Sequence, residues 1–486
     1  MIEKLKELTK DTAIYGLSTI VGRFLGFLLI PFYTNVFTTS EFGIYANVYA
    51  YVAFFNIIYI YGMDSAFLKY SSLAEEEKKK ATFSTPFLFV FFTSSILSLI
   101  LFLTKDFAVA GMQIPDNFSY LIYYVIFILL MDSLALIPFA HLRLQRKASK
   151  FALVKILNII INIALNLILI LKYNYGIEAI FISNLAASAF SFIALAPEIL
   201  KYLELKINKE ILRKMLKFGI PYLPASMAAT VVQVIDRPIL KALTNDSTVG
   251  IYQANYKLGI FMLLFVSMFQ YAWQPFFLNN AKEKNAKELF SKVLTLFIMV
   301  AGFIWILISL FIDDLVSIEI AGKTIIGREF LGGLEIVPVI LLGYIFHGIY
   351  VNFTAGIYIE EKTKYFPYIT GAGAAVNVIV NLTLIPVLGI MGAAFATLAS
   401  YLVMSISLFF VSQKFYKINY NYNRVLKLLG TIITIGIIYY YLLYNELLNL
   451  PFKFLLLFMY FGSLVFFRIL KKEEIETTIR AFMKKG

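Results

Sequence analysis

Apolar runs roughly twenty residues long recur from one end of this chain to the other, each set off by charged or turn-forming residues. A helix needs about 20 consecutive apolar residues to cross a bilayer core, whereas a soluble core gives no reason for such runs to repeat. Residues 13–36, 43–66, 83–103, 119–140, 151–171, 177–199, 218–241, 249–278, 289–312, 333–358, 366–386, 390–412, 426–444 and 450–468 form fourteen windows of this kind. Composition agrees: 60% of the 486 residues are apolar and 15% charged, against about 25% charged in ordinary soluble domains. The apolar runs are continuous and do not alternate, which excludes an outer-membrane barrel. The expectation is an all-α, polytopic membrane protein with about 14 transmembrane helices. The charged start leads into an apolar stretch too long for a signal-peptide core, so it reads as retained.

Several chemistries are excluded early. The chain has no cysteine and only two histidines, His141 and His347, so disulfides and thiolate metal sites are absent and a histidine-rich zinc site is disfavoured. No GxxxxGK[ST] phosphate loop is present, and the connections are too short to hold a soluble catalytic domain. No cofactor is therefore expected. The formal charge of +13 would suggest nucleic acid in a soluble protein. Here the distribution of charge gives it another meaning, and no nucleic-acid partner is expected.

An even number of spans puts both termini on one side, and the positive-inside rule chooses that side. Of 43 Lys and Arg, six fall on the expected outer connections (Lys105, Lys172, Lys241, Lys323, Arg328, Lys453) and four within spans (Arg23, Lys155, Arg237, Lys257), which leaves 33 inside. A single missed span would invert every later loop and destroy this bias. Both termini are thus expected in the cytoplasm and the protein in the cytoplasmic membrane.

An internal repeat organises the chain. The segment EFGIYANVY (41–49) returns as TVGIYQANY (248–256) at a spacing of 207, and NIALNLILI (162–170) returns as NVIVNLTLI (377–385) at 215. Pro31 and Pro238 obey the first spacing. The offset amounts to six spans, an even number, so the matched halves run parallel and a pseudo-twofold axis lies along the membrane normal. Residues 1–200 are expected to form an N-terminal lobe, 201–217 a cytoplasmic linker and 218–414 a C-terminal lobe around a central cavity. Residues 415–486 add a helix pair and a tail.

Ionised side chains at mid-bilayer cost from about 2.5–3.5 kcal/mol upward, so they face partners or water. Arg23 sits about 15 Å into its span, too deep to snorkel, on a small and polar stripe with Thr12, Gly16, Thr19 and Gly26. Arg237 and Lys257, nearer the outer side, and Lys155, near the inner, are further candidates for substrate binding. Arg237 could equally serve to neutralise Asp236 or Asp132. Lys155, Asn158, Asn162 and Asn166 form one stripe, and Asn377 with Asn381 form its counterpart. Asparagines four apart glue helices together, and in a wet cleft they also suit a cation or a sugar. His347, Tyr350, Thr354 and Tyr358 share a helix face and read as packing.

The stretches VGRFLGFLLIPFYTNVFTTSEFGIYA (21–46), YGMDSAFLKY (61–70), KFGIPYLPASMA (217–228), VGIYQANYKLG (249–259) and WQPFF (273–277) resemble the polysaccharide-transport branch of the multidrug/oligosaccharidyl-lipid/polysaccharide flippase superfamily. The resemblance runs over nearly the whole chain. It implies a flippase, not an enzyme, that carries a polyprenyl-diphosphate-linked oligosaccharide outward by alternating access. RFLGF (23–27) is similar to a segment of the related lipid II flippases, which implies that Arg23 lines the cavity. The same resemblance implies a coupling site for Na⁺ or H⁺ at Asp236, Asn377, Asn381 and Thr397, with Asn381 standing where those relatives carry an acid. The implied partners are the lipid-linked sugar, the bilayer, and polymerases or glycosyltransferases of the same pathway, with a monomer as the working unit. Two rival readings are a cation-coupled drug antiporter of the same superfamily and a membrane enzyme acting on lipid-linked sugar. Arg23→Ala and Arg23→Lys are expected to slow translocation of lipid-linked sugar in reconstituted vesicles, and wild-type rates in both would remove Arg23 from the cavity.

Overall fold

The computed structural model describes residues 22–467 apart from Arg23, Ala74 and Ala321. Hydrocarbon offers no hydrogen bonds, so a membrane-spanning backbone must satisfy its own polar groups, and helix is the local solution. The helices are α1 (Phe24–Thr34), α2 (Thr39–Ile60), α3 (Met63–Ser72), α4 (Lys79–Leu103), α5 (Lys105–Gly111), α6 (Leu121–Leu144), α7 (Ala148–Tyr173) and α8 (Glu178–Tyr202). The second part holds α9 (Lys209–Gly219), α10 (Tyr222–Val234), α11 (Asp236–Leu243), α12 (Asp246–Leu258), α13 (Ile260–Asn280), α14 (Ala286–Val316), α15 (Val337–Ile359), α16 (Phe366–Leu388) and α17 (Ile390–Phe415). Two more, α18 (Tyr422–Tyr444) and α19 (Leu450–Phe466), follow.

Among the described residues, eleven helices are long and apolar enough to cross a membrane, or twelve if α9 and α10, bent by 40°, count as one. The windows at 13–36 and 450–468 hold the shorter apolar helices α1 and α19, so the length criterion does not reach the expected fourteen. Three windows also divide or extend. The second becomes α2 and α3, one span over 39–72 with a left-handed turn at Tyr61 and Gly62, and its capped and charged ends carry it beyond the apolar core. The window 218–241 divides between α10 and α11, and 249–278 divides at Gly259. The expected linker is itself helical from Lys209, with Asn208 Oδ1 accepting from the backbone N–H of Glu210 and Ile211.

The repeat reaches the level of helix packing. Shifting by 215 carries α6, α7 and α8 onto α15, α16 and α17; α6 and α7 each pack on α8, and α15 and α16 each pack on α17. Likewise α4 against α6 becomes α14 against α15, and α2 against α6 becomes α12 against α15. The asparagine pairs repeat in detail: Asn166 Nδ2 donates to the Asn162 carbonyl at 2.9 Å, and Asn381 Nδ2 donates to the Asn377 carbonyl at 2.9 Å.

The two halves meet where the repeat motif begins. Thr38 caps α2 in a capping box with Glu41, and Asn245, at the matched position, caps α12 by accepting from the Thr248 N–H at 2.9 Å. Just inside these caps the two helices cross backbone to backbone. A Cβ at Gly43 would fall 1.7 Å from the Asp246 carbonyl oxygen, and one at Gly250 would fall 1.9 Å from that of Thr39. Thr39 Oγ1 and Ser247 Oγ share a hydrogen bond of 2.6 Å across the same crossing. At the end of the bundle that carries the basic loops, a second close approach joins α3 to α9. Gly62 has φ +74°, and a Cβ there would lie 2.6 Å from the Gly219 carbonyl oxygen.

The final pair packs chiefly on α14, with the Tyr422 ring also 6.1 Å from that of Phe409 in α17. Lys453, 3% exposed, reaches Asp313 at 2.9 Å and Asp314 at 2.6 Å, while Tyr460 donates to the Met299 carbonyl at 2.5 Å.

The chain has no native cysteine, so the crossing can be tested cleanly. Thr39→Cys with Ser247→Cys is expected to cross-link on mild oxidation, and adding Gly43→Val, whose side chain has no room, should lower the yield several-fold by parting the helices. Gel mobility before and after reduction reads the result.

Candidate functional site

A central cavity of about 670 Å³ opens between α2 of the first half and α10–α13 and α15–α17 of the second. Its floor at one end is charged. Asp236 and Arg237 follow Ile235, where α10 gives way to α11. On one straight helix sequential residues point apart. Here the long guanidinium side chain folds back to its neighbour: Arg237 Nη1 donates to Asp236 Oδ1, and also to the Gln233 carbonyl at 2.7 Å, while Nε donates to Gln253 Oε1 at 3.0 Å. Tyr252 donates its hydroxyl to Asp236 Oδ2. The guanidinium carbon lies 4.1 Å from the centre of the Tyr256 ring, so a cation–π contact completes the cage. Both residues are buried, Asp236 at 1% and Arg237 at 4% exposure. Taking one member away would leave an uncompensated charge, an effect of about 3–5 kcal/mol.

Lys257, half-buried, lines the same cavity. From there the wall is aromatic and amide-bearing. Tyr344 donates to the Tyr256 hydroxyl at 3.1 Å, its ring lies 6.1 Å from Tyr401, and Tyr401 lies 4.9 Å from His347. Tyr45 and Tyr49 face this wall from α2, with Gln233, Gln253, Gln270 and Gln274 between. A smaller chamber of about 140 Å³ shares Gln270, Gln274, His347 and Tyr350 with the first and continues through Trp273, Thr354 and Tyr358. The face His347, Tyr350, Thr354, Tyr358, read from sequence as packing, thus lines both chambers.

The structure brings together only part of the expected substrate set. Arg237 and Lys257 share the cavity, and Arg23 lies outside the described residues. Lys155, Asn158 and Asn162 are not in its lining. Lys155 is exposed on α7, its ammonium 4.3 Å from the Phe139 ring centre. Asn158 joins α7 to α8, donating to the Ala187 carbonyl at 2.7 Å and to Ser191 Oγ at 2.9 Å. Asn162 accepts from Asn166. The Asn158 bonds are the interhelical contacts that amides make inside membranes, whereas the Asn162–Asn166 bond stays within α7.

The expected cation set is wholly buried: Asp236, Asn377, Asn381 and Thr397 are each at most 1% exposed. Asn381 Oδ1 and Thr397 Oγ1 have no partner in the protein, and hard cations take such oxygens. Asp236 does not fit with them. Both its oxygens are committed, to Arg237 and to Tyr252, and the adjacent guanidinium opposes a second cation. In this arrangement the set offers an ion two neutral oxygens but no free acid. Among the described residues, no cluster of three or more His, Asp or Glu is placed to hold a metal.

A sequence profile of the polysaccharide biosynthesis protein family matches residues 8–281, more than half of the chain. The chain belongs to that family. No curated protein matches this polysaccharide biosynthesis protein in sequence. Its fold is that of the multidrug/oligosaccharidyl-lipid/polysaccharide flippase superfamily. The lipid II flippase MurJ in an inward closed conformation superposes with a TM-score of 0.68 at 18% identity, over 93% of this chain and 98% of that one. An inward-facing multidrug resistance MATE family transporter gives 0.60 at 13% identity, covering 81% and 97%. The Vibrio cholerae MATE transporter VcmN in its bent form gives 0.54 at 11%, covering 85% and 96%.

Apart from Tyr350, whose face reads as packing, the tyrosine and glutamine wall escaped sequence reading. With 32 tyrosines in the chain, no spacing marks the few that meet in the cavity. Arg237→Ala is expected to destabilise this family member by about 3–5 kcal/mol. The charge-neutral double variant Asp236→Asn with Arg237→Gln should recover much of that loss. Thermal unfolding in detergent measures both.

Proposed function

We propose that the protein translocates a polyprenyl-diphosphate-linked oligosaccharide, a repeat unit of a cell-surface polysaccharide, from the cytoplasmic to the outer leaflet by alternating access. The supporting observation is one cavity that combines Arg237 and Lys257 with a wall of tyrosines and glutamines. Cations suit a diphosphate through charge-assisted hydrogen bonds, with Arg23 from the first half as the third. Aromatic faces with polar tips suit sugar rings, and amides suit their hydroxyls. The polyprenyl tail stays in lipid at a gap between the halves.

The physical problem such a carrier solves is desolvation. Hydroxyls and phosphates cost several kcal/mol each when left unpaired in hydrocarbon. A polar, cationic cavity removes that barrier. Two negative charges moving outward down an inside-negative potential gain about 4.6 kcal/mol per 100 mV, at about 2.3 per charge. The backbone crossing at Gly43 and Gly250 is the contact that must part to release cargo at the outer end, and the seat of Gly62 on Gly219 is its counterpart at the cytoplasmic end. Membership of the polysaccharide biosynthesis family and the similarity of fold to a lipid II flippase support a lipid-linked cargo.

Drug antiport is the rival, supported by the likeness of fold to multidrug transporters. Among the described residues the cavity's lining cations are Arg237 and Lys257 and no acid lines it, a poor match for cationic drugs. Purified protein in vesicles is expected to move lipid-linked oligosaccharide and to leave cationic dyes in place, with Lys257→Gln slowing transport at least several-fold. Dye extrusion without movement of sugar lipid would overturn the reading.

A further inference from the structure

The smaller chamber that adjoins the central cavity differs from it in charge. Among the described residues, none that lines it is Asp, Glu, Lys or Arg. Two helix faces build it. Gln270, Trp273, Gln274 and Phe277 come from α13 at the spacing of one stripe, and Tyr350, Thr354 and Tyr358 face them from α15. The amides on this wall do not join helices as Asn158 does. Gln270 and Gln274 are exposed to the chamber and to the central cavity, and among the described residues neither side chain has a hydrogen-bond partner in the protein. An amide at membrane depth is costly unless something polar reaches it, so two of them one turn apart mark a place that such a group enters. Thr354 adds an acceptor: its hydroxyl donates to the Val351 carbonyl at 2.6 Å and keeps its lone pairs toward the chamber.

The rings around these groups are fixed by their own contacts. Trp273 donates its indole N–H to the Asn352 carbonyl at 3.2 Å and stacks on Phe269 at 5.7 Å between centres. Two turns beyond Gln270, about 10 Å along α13 at 1.5 Å per residue, Phe277 stacks on Tyr358 at 6.0 Å. Tyr358 in turn meets Phe366 of α16 at 5.4 Å. These contacts bound the chamber at the end away from the residues it shares with the central cavity. Arg237 and Lys257 line the central cavity and not the chamber. The connected space is therefore cationic in one part and neutral, amide-bearing and aromatic in the other.

We propose that the chamber seats a single uncharged sugar ring, the one at the end of the cargo away from the diphosphate, and so selects repeat units whose terminal sugar carries no carboxylate. The assignment rests on the reading of the central cavity as the seat of a lipid-linked oligosaccharide. With a volume of about 140 Å³ the chamber falls below the range of about 300–1,000 Å³ usual for sites that hold a whole ligand, which suits one ring and not a chain. Two carboxamides and a hydroxyl supply the mixed donors and acceptors that sugar hydroxyls need, and the aromatic walls fit the C–H faces of a pyranose. A carboxylate in the same place would lose its water and meet no cation among the described lining residues. Selection thus works through the cost of stranding a charge, while the cations of the central cavity hold the other end of the cargo.

The test compares two synthetic cargoes with the full chain in vesicles: undecaprenyl diphosphate bearing a trisaccharide that ends in glucose, and the same lipid with glucuronate in that place. Wild type is expected to move the glucose-ended cargo about tenfold faster or more. Gln274→Leu, and Thr354→Val as a nearly isosteric change, should each cut that preference to about twofold or less. A second measurement does not depend on transport. Gln274→Cys, in a chain with no native cysteine, should be shielded from a thiol reagent by the glucose-ended lipid and stay reactive with undecaprenyl diphosphate alone. Equal rates for the two cargoes, an unchanged preference in either variant, or equal shielding by the sugarless lipid would overturn the assignment and leave the cargo reading standing. Movement of neither cargo would overturn that reading, and this one with it.

Discussion

A guanidinium cannot sit at membrane depth alone, and the way Arg237 is provided for shapes much of the second half. Its partners come from α10, α11 and α12: the Gln233 carbonyl, Asp236 and Gln253. Tyr256 covers its face. These groups gather at the junction of α10 and α11, just before Pro238, which has no N–H to continue the helical ladder. The same cage positions Tyr252 and Tyr256, and through Tyr256 the line of rings toward His347. Electrostatic necessity and the shape of the cavity are therefore one arrangement.

The contact between the halves obeys a different constraint. At Gly43 and Gly250 two helices approach more closely than any side chain allows, in the manner of small-residue crossings inside membranes. At the crossing itself it closes by fit of backbone on backbone, with one hydroxyl pair across it. A carrier that must open at alternate ends benefits from joints of this kind.

Much of this was legible in the sequence. Long apolar windows give the helices because hydrocarbon leaves no alternative, and the repeated GIY motif gives the twofold relation because both copies serve one crossing. The breaks were harder to read. Gly259 and the Tyr61–Gly62 turn interrupt apolar stretches without polar punctuation, since what selects them is the fit of neighbouring helices. Arg237 and Lys257 stood out as cations where none is cheap. The tyrosines that join them did not, because a ring in a cavity and a ring at an interface look alike in one dimension. Asn158 and Asn162 show the reverse case: polar residues in spans that stand out in the sequence and, in the fold, bind only other parts of the protein.

The last two helices are fastened to α14 by one buried ammonium and one hydroxyl, and they make no extensive contact with the first half. The dyad is complete without them. A seam of this type, lying in the short connection between α17 and α18, is where gene fusion or exchange could add, remove or swap a module while leaving the ancestral duplicated core undisturbed.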